Sequence, residues 1–220
     1  MVWATQVVLA NHIDLVGFQE FEKPQLQTFR RKTEGTWGVF PGLSLGLKPV
    51  GNSVAWRRDT WRLLGGRLLT VPYFSGRPMT MPYVHLRNVK TGRDIYLLNV
   101  HNPATTPKWG DNRHWRARAL DKEMRLIRRL SHKAPVFFTG DFNEVRPAFC
   151  AATAGGVLHS AAGAARAGCH PPRILGVDQI FGSAGVTFSG FVKRDTSLVR
   201  RASDHPIVFA DVAVASGVTG

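Results

Sequence analysis

Short apolar runs alternate with polar and glycine-containing segments along most of the chain, and this pattern predicts many short strands. The runs that predict strands are residues 14–19, 52–57, 61–71, 81–87, 94–100, 135–139, 176–182, 186–191 and 206–214. Lys90-Thr91-Gly92 separates two of these runs. A glycine in so short a connection favours a tight turn, so the two strands are predicted to form a hairpin.

The pattern also predicts a few helices. Residues 5–10 indicate the end of a first helix, and a short helix is expected near residues 147–154. Asp111 or Asn112 can cap a longer helix that runs to about Leu130. Its apolar side chains recur at the helical period: Leu120, Met124 and Ile127. Another face of this helix carries only cations: Arg118, Lys122, Arg125 and Arg129. We interpret that face as exposed to solvent, with nucleic-acid contact as the alternative.

Helices and strands follow one another irregularly, and several strands form hairpins. This order predicts a mixed α/β (α+β) sandwich. The sequence contains no internal repeat and no linker long enough to divide it, so residues 1–220 are expected to form a single domain. We also expect a monomer.

Composition adds a strong positive charge to this picture. The 220 residues include 29 Lys and Arg against 15 Asp and Glu, for a net charge of +14, and 44% are hydrophobic. Such a chain can bury a core, which excludes a disordered polar tail. The charge favours a polyanionic partner such as nucleic acid, although genome base composition can produce the same bias. No apolar run reaches the length of a membrane helix and no signal peptide is visible, so we expect a soluble protein, either cytoplasmic or secreted.

The chain has two cysteines, Cys150 and Cys169, in a segment rich in Ala, Gly and Pro. They can form a disulfide if the protein is exported, which would stabilise the fold by about 3 kcal/mol through loop closure. The alternative is two reduced thiols. A zinc site is not indicated, because no C-x-x-C pair and no second histidine at ligand spacing accompany them.

Several of the few acidic residues lie where predicted strands begin or end. Glu20 and Asp141 follow strands, Asp178 opens one, and Asp204 comes just before another. Any one of them is typical of a cap or a turn. Together they offer the oxygen ligands that Mg²⁺ prefers, with substrate phosphate and water completing its coordination.

These acids lie in four of five short motifs, the fifth being centred on a histidine: Phe18-Gln19-Glu20, Asn99-Val100-His101, Gly140-Asp141-Phe142-Asn143, Val177-Asp178 and Ser203-Asp204-His205. In order and spacing, the motifs resemble those of the endonuclease/exonuclease/phosphatase superfamily, the deoxyribonuclease I-like group. The resemblance covers about residues 5–214. It implies a four-layer sandwich in which two packed, mixed β-sheets are flanked by helices, with the active site where loops meet at one edge. Glu20 is then the expected metal ligand, with Asp204 as a second carboxylate on the metal side. The ion is expected to be Mg²⁺, with Mn²⁺ as an alternative.

The same resemblance implies roles for five further residues. Asp141 would orient or deprotonate the attacking water, and Asn143 would bind phosphate or water. His205 would contact the scissile phosphate, with Asp178 hydrogen-bonded to its other ring nitrogen. His101 would lie near the leaving group. A histidine paired with an aspartate is held in one tautomer and is more readily charged, which suits this assignment.

The start of the chain departs from the family's pattern. Members begin with a strand, typically ending in an Asn, ahead of the first helix, whereas this sequence begins with Met1-Val-Trp-Ala, which we interpret as part of that helix. We therefore expect the first strand to be lacking.

The first functional hypothesis is a Mg²⁺-dependent phosphodiesterase that hydrolyses nucleic acid with a metal-activated water. A second is a phosphatase or phospholipase-like hydrolase of a small phosphate ester or lipid head group. A third is an inactive relative that only binds a polyanion. Substrate choice is expected to reside in loops, for which residues 72–80 and 102–112 are candidates, and Trp109 and Trp115 could stack on bases.

Overall fold

The computed structural model describes residues 1–46 and 51–215, in which helices and strands alternate irregularly. The helices are α1 (Val2–Ala10), α2 (Lys23–Lys32), α3 (Arg113–Ser131), α4 (Arg146–Thr153) and α5 (Ser197–Arg200). The strands of the first half are β1 (Leu15–Phe18), β2 (Trp37–Phe40), β3 (Ser53–Arg57), β4 (Trp61–Pro72) and β5 (Pro78–Asn88). Those of the second half are β6 (Asp94–His101), β7 (Val136–Asp141), β8 (Leu158–Ser160), β9 (Asp178–Ser183), β10 (Val186–Arg194) and β11 (Ile207–Val214).

The largest sheet has six strands in the order β4-β5-β6-β7-β9-β8. Strands β6 and β7 are parallel to each other, and every other pair of neighbouring strands in this sheet is antiparallel. Two smaller sheets accompany it: the three-stranded β1-β3-β2 and the hairpin β10-β11. The six-stranded sheet is therefore mixed, because α3 carries the chain back between β6 and β7 in the crossover that a parallel pair requires.

Side chains that alternate along the strands divide the molecule into four layers. On one face of the six-stranded sheet, Leu98 and Phe138 pack against α3 and α4. On the other face, Leu97 and Phe137 pack against the smaller sheets. The far side of the three-stranded sheet is covered by α1 and α2, through a cluster centred on Phe29. This arrangement of sheets flanked by helices confirms the predicted fold class.

Every strand predicted from the apolar runs is present, and the hairpin at residues 90–92 joins β5 to β6. The long helix and its buried apolar stripe are also confirmed, and its cationic face is exposed. The predicted first helix is also present, as α1. Four elements were not predicted: α2, β2, β8 and α5. Their sequences are short or mostly polar, and α2 buries only Leu26 and Phe29.

A disulfide joins Cys150 in α4 to Cys169 in the loop before β9. Of the alternatives for the two cysteines, the structure contains the disulfide. No helix in the part of the chain that the structure describes is both long and apolar enough to cross a membrane.

Candidate active site

Three neighbouring strands of the six-stranded sheet bring polar side chains to the same edge. His101 ends β6 and lies in register with Asp141, which ends the parallel strand β7. Asp141 is in turn the register partner of Asp178, the first residue of the antiparallel strand β9. The topology alone therefore places these three side chains beside one another, although they are distant in sequence.

His205 comes to this edge from the turn before β11. Its backbone N–H donates to Ser203 Oγ over 3.0 Å, which shapes the turn. Its ring Nδ1 donates to Asp178 Oδ2 over 3.0 Å and lies 4.0 Å from Asp141 Oδ2. The His205 side chain is 39% exposed while that of Asp178 is 14% exposed. The imidazole can therefore reach a ligand while its partner holds it from behind.

Asp141 is buried and held by the loop that follows it. Its Oδ1 accepts the backbone N–H of Asn143 over 2.8 Å, and its Oδ2 accepts Asn143 Nδ2 over 3.2 Å. Asn143 has a positive φ of 53°, a conformation that asparagine tolerates better than most residues. His101 Nε2 lies 3.6 Å from Asp141 Oδ2. The carboxylate is thus fixed in place by the motif that was predicted to carry it.

The His205–Asp178 pair is electrostatically tuned. Burial alone would lower the pKa of His205, but the charge of Asp178, its hydrogen bond and the charges of Asp141 and Asp204 outweigh burial and raise it. Burial and the charge of Asp141 raise the pKa of Asp178 to about 6, against the opposing effect of His205. Both members are therefore charged together between the pKa of Asp178, at about 6, and the raised pKa of His205.

His101 behaves in the opposite way. Burial lowers its pKa and prevails over the charges of Asp141 and Glu20, so the imidazole is neutral at neutral pH. Tyr73 lies edge-on to it, with ring centroids 6.1 Å apart. Burial and the charges of Asp141 and Glu20 raise the pKa of Tyr73 to about 12, which keeps its phenol protonated.

The two predicted metal ligands lie at the border of this cluster. Glu20 follows β1 with a positive φ of 52°, is exposed, and acts through its charge on His101 and Tyr73. Asp204 is also exposed, next to His205. The structure thus brings His101, Asp141, Asn143, Asp178 and His205 together and leaves Glu20 and Asp204 on the solvent side.

The donor set fits a hard divalent cation. Ligand atoms of Asp141, Asp178 and His205 lie within 4.8 Å of one another. A cation bound between His205 and Asp178 would have to displace the proton of their hydrogen bond. The exposed carboxylates of Glu20 and Asp204 are therefore the more accessible oxygen donors. Oxygen donors of this kind suit Mg²⁺ or Mn²⁺.

A buried hydrogen-bond network joins the smaller sheet to the larger one behind the cluster. Asn99 Nδ2 donates to the carbonyls of Phe18 and Ser53, over 2.9 Å and 3.2 Å. Asn99 Oδ1 accepts Gln19 Nε2 over 2.6 Å. Gly17 faces this amide so closely that a Cβ there would lie 2.2 Å from Asn99 Oδ1. The network fixes the end of β1, and with it the position of Glu20.

Sequence reasoning did not identify Tyr73, Asn102 or Glu123. Tyr73 lies within the stretch 72–80, but nothing in the sequence indicated that it reaches His101. Asn102 directly follows His101 and its carbonyl accepts Asn143 Nδ2 over 2.8 Å. Glu123 is an acid on the apolar face of α3, and that position was the one available signal.

Comparison with known proteins agrees with this geometry. The family model described as "Endonuclease/Exonuclease/phosphatase family" matches residues 4–205. No curated protein matches the sequence.

Solved structures share the fold at low sequence identity. An endonuclease/exonuclease/phosphatase from Bacteroides vulgatus is similar with a TM-score of 0.75 and 16% identity, over 97% of this chain and 89% of that one. The Bacteroides thetaiotaomicron mannosyl-6-phosphatase has a TM-score of 0.70 and 16% identity, over 96% and 89%. D. rerio TDP2 complexed with a single-strand DNA product has a TM-score of 0.67 and 14% identity, over 96% and 90%. At these identities the likeness establishes a shared fold.

Proposed function

The chain belongs to the endonuclease/exonuclease/phosphatase family, whose members are phosphoesterase hydrolases, and we propose that it is a Mg²⁺-dependent phosphodiesterase acting on nucleic acid. The observation that carries this proposal is the ion pair of His205 and Asp178 facing the buried carboxylate of Asp141. A phosphodiester needs an activated water, charge stabilisation on its oxygens and help for the leaving oxygen.

Asp141 orients the attacking water and takes its proton. Two hydrogen bonds from Asn143 restrict the carboxylate, so its position does not have to be reorganised during the reaction. Both Nδ2 hydrogens of Asn143 are used by Asp141 and Asn102, so its side chain offers the amide oxygen to a water. Its side chain is anchored on the carbonyl of Asn102.

His205 stabilises the negative charge that develops on the phosphate oxygens. Its raised pKa favours the cationic imidazole, and Asp178 holds the ring so that Nε2 remains available to the substrate. Neutral His101 contributes a hydrogen bond to the leaving oxygen. Because burial lowers its pKa, it does so without adding a second positive charge beside His205.

Glu20 and Asp204 would hold the divalent ion, Mg²⁺ or Mn²⁺, through their exposed carboxylates. When bound, such an ion neutralises charge on the phosphoryl oxygens.

The net charge of +14 supports nucleic acid over a small ester, because a polyanion gains from many cations at once. The TDP2 structure with its single-strand DNA product supports the same choice. The mannosyl-6-phosphatase supports the second candidate, a hydrolase of a small phosphate ester on the same fold.

Metal removal tests the proposal. The protein is incubated with a 12-nucleotide DNA, with bis-p-nitrophenyl phosphate and with p-nitrophenyl phosphate, in Mg²⁺ or Mn²⁺ and in EDTA. We expect both diesters to be cleaved, and we expect EDTA to abolish this cleavage and added metal to restore it. Little p-nitrophenol should be released from the monoester, p-nitrophenyl phosphate. Asp141→Asn is the matched control, because it keeps the shape of the side chain and removes its charge. Faster release from the monoester would support the second candidate, and turnover that survives EDTA would reject the metal dependence.

A further inference from the structure

Two segments outside the catalytic cluster meet beside His101. They are the tip of the β4–β5 hairpin and the loop between β6 and α3. Phe74 of the first segment stacks on Trp109 of the second, with ring centroids 5.2 Å apart and planes 9° apart. Tyr73 contacts Phe74 at 4.4 Å and His101 at 6.1 Å. A continuous series of aromatic contacts therefore leads away from the catalytic edge.

Two cations lie over the outer end of this series. The Arg77 guanidinium carbon is 5.2 Å from the centre of the Trp109 ring, and Lys108 Nζ is 5.3 Å from it. Both side chains belong to exposed residues. A cation–π contact restrains such a side chain without neutralising its charge, so both cations remain able to bind an anion. We call Tyr73, Phe74, Arg77, Lys108 and Trp109 the cation–aromatic rim.

We propose that the cation–aromatic rim binds the strand of single-stranded nucleic acid next to the scissile phosphate. The inference rests on the proposed function, because it extends the same site. Aromatic rings beside cations are the combination that holds unpaired bases and their phosphates together. A small ester held between His205 and Asp141 would not extend to Arg77 and Lys108, and a paired duplex would not offer its base faces to the rings.

The surface beyond the rim continues the same charge. Trp115 packs against the hairpin tip at Gly76, where a Cβ would lie 2.6 Å from the indole. Beside it, Arg118 and Lys122 of α3 line a groove of about 270 Å³. Arg118 lies 6.0 Å from the centre of the Trp115 ring. The groove contains one acid, Asp121, which is paired with Arg125, so a strand that leaves the rim meets a surface on which cations predominate.

Binding and cleavage by a charge-matched pair of variants test this proposal. Arg77→Ala/Lys108→Ala removes the rim cations, and Arg128→Ala/Arg129→Ala removes two cations from the last turn of α3, at the opposite end of that helix from Trp115. Binding is measured with a fluorescent 12-nucleotide DNA in EDTA across a salt series. We expect the rim variant to bind at least tenfold more weakly than the control variant, with a salt slope reduced by about 1.4 for two phosphate contacts on a single strand.

Cleavage separates this proposal from the proposed function. The ratio of kcat/KM on the 12-mer to that on bis-p-nitrophenyl phosphate should fall at least fivefold in the rim variant and in Trp109→Ala. Equal binding by the two double variants, or tighter binding of duplex than of single strand, would overturn the rim. Absence of hydrolysis in wild type would instead count against the proposed function, while the binding comparison would still decide on the rim.

Asn102 and Glu123 form a buried pair behind the catalytic edge. The backbone N–H of Asn102 donates to the Asp141 carbonyl over 2.8 Å, and Asn102 O accepts Asn143 Nδ2 over 2.8 Å. The Asn102 side chain donates through Nδ2 to Oε2 of Glu123, which is fully buried, over 3.2 Å. Asn102 Oδ1 and Glu123 Oε1 are both buried without a hydrogen-bond partner. The same amide–carboxyl contact therefore has two acceptors that lack a donor.

We propose that Glu123 is a neutral carboxylic acid whose Oε1–H donates to Asn102 Oδ1, and that it acts as a positioning residue for Asn102, Asn143 and Asp141. A proton on Glu123 closes the pair at both ends and removes the cost of two unsatisfied buried atoms. Burial raises the pKa of Glu123 to about 8, and the charge of Glu144 acts in the same direction. The hydrogen bond from Asn102 lowers this pKa but does not outweigh burial. Glu144 is itself paired with Arg116 of α3, at 3.2 Å.

Glu123→Gln tests this assignment, because an amide supplies the same donor at every pH. A carboxyl group whose pKa rises on folding binds its proton more tightly in the folded state. Wild type should therefore lose stability relative to Glu123→Gln as pH rises from about 4.5, the ordinary value, to about 8, with no further change above that. Urea midpoints of the two proteins across this range provide the measurement.

The positioning role has its own readout. Glu123→Leu should lower kcat on bis-p-nitrophenyl phosphate about tenfold with little change in KM, and Glu123→Gln should restore kcat to within about threefold of wild type at pH 7. If the urea midpoints of wild type and Glu123→Gln differ by the same amount at every pH between 5 and 8, Glu123 is ionised in the folded protein and the proposal is overturned. If Glu123→Gln is no more active than Glu123→Leu, the positioning role of Glu123 is overturned.

Discussion

At the scale of single residues, the shared proton of His205 and Asp178 governs how the site responds to pH. The pKa of Asp178 is raised to about 6, and that of His205 is raised above its ordinary 6.5. The acidic limb of the activity profile should therefore lie near pH 6, where Asp178 becomes protonated. The alkaline limb should lie above pH 6.5, where His205 loses its charge. These values belong to the coupled pair.

Asp178→Asn should change this profile in a defined way. The acidic limb near pH 6 should disappear, and the alkaline limb should move to lower pH, because His205 loses the charge that raises its pKa. The measurement is kcat/KM on bis-p-nitrophenyl phosphate between pH 5 and 10 at saturating Mn²⁺. An alkaline limb that does not move would contradict the assignment of His205.

The strand-end residues Asp141, Asp178 and His205 could be predicted because each lies in a short motif beside an apolar run. Strand register places Asp141 beside Asp178, and the turn before β11 brings His205 within 3.0 Å of Asp178, the hydrogen bond that the family resemblance implied. Tyr73 and Glu123 could not be identified, since an aromatic residue in a hairpin and an acid on a helix are common without function. Only the tertiary contacts distinguish them.

At the scale of elements, β7 passes between β6 and β9 with little free space at Gly140. A Cβ added there would lie 2.1 Å from the Val100 carbonyl oxygen of β6, at a φ of 153° that disfavours other residues. Gly140→Ala should lower the free energy of unfolding by about 3 kcal/mol. Gly65→Ala in β4 is the control, because a Cβ there meets nothing within 4 Å, and it should cost under about 1 kcal/mol. Urea denaturation of both variants compares them, and equal losses would contradict the packing described at β7.

The disulfide closes the irregular segment between α4 and β9. Cys150 and Cys169 are 19 residues apart, and closing such a loop stabilises the folded state by about 3 kcal/mol in the chain-entropy model. Reductant should therefore lower the urea midpoint of wild type, while a Cys150→Ala/Cys169→Ala variant should not respond to it. Alkylation of two thiols in unreduced protein would contradict the bond.

Strands were more predictable than short helices at this scale. Apolar runs such as residues 94–100 and 135–139 are buried on both faces, so their whole sequence carries the signal. The helix α2 is amphipathic over only ten residues and α5 spans four. Their stability comes from packing, which leaves a weak pattern in the sequence.

At the scale of the whole molecule, the four layers bring residues separated by almost the whole chain to a single edge. Glu20 follows β1 in the smaller sheet, and His205 precedes β11. The resemblance of five motifs to a known family predicted this convergence, whereas the periodicity of the sequence indicated only a mixed α/β sandwich. The sequence indicated residues 72–80 and 102–112 as candidate loops for substrate choice, but the stacking of Phe74 on Trp109 that joins them is visible only in the fold.

The central claim is that the cluster around His205 hydrolyses phosphodiesters, and single-turnover cleavage of a 12-nucleotide DNA by His205→Ala tests it most directly. We expect a loss of at least two orders of magnitude in rate, equivalent to about 3 kcal/mol of transition-state stabilisation, with oligonucleotide binding within about threefold of wild type. Asp178→Asn should lose less, because the imidazole remains. His132→Ala, an exposed histidine after α3, should cleave as wild type does. Unaltered cleavage by His205→Ala would contradict the claim.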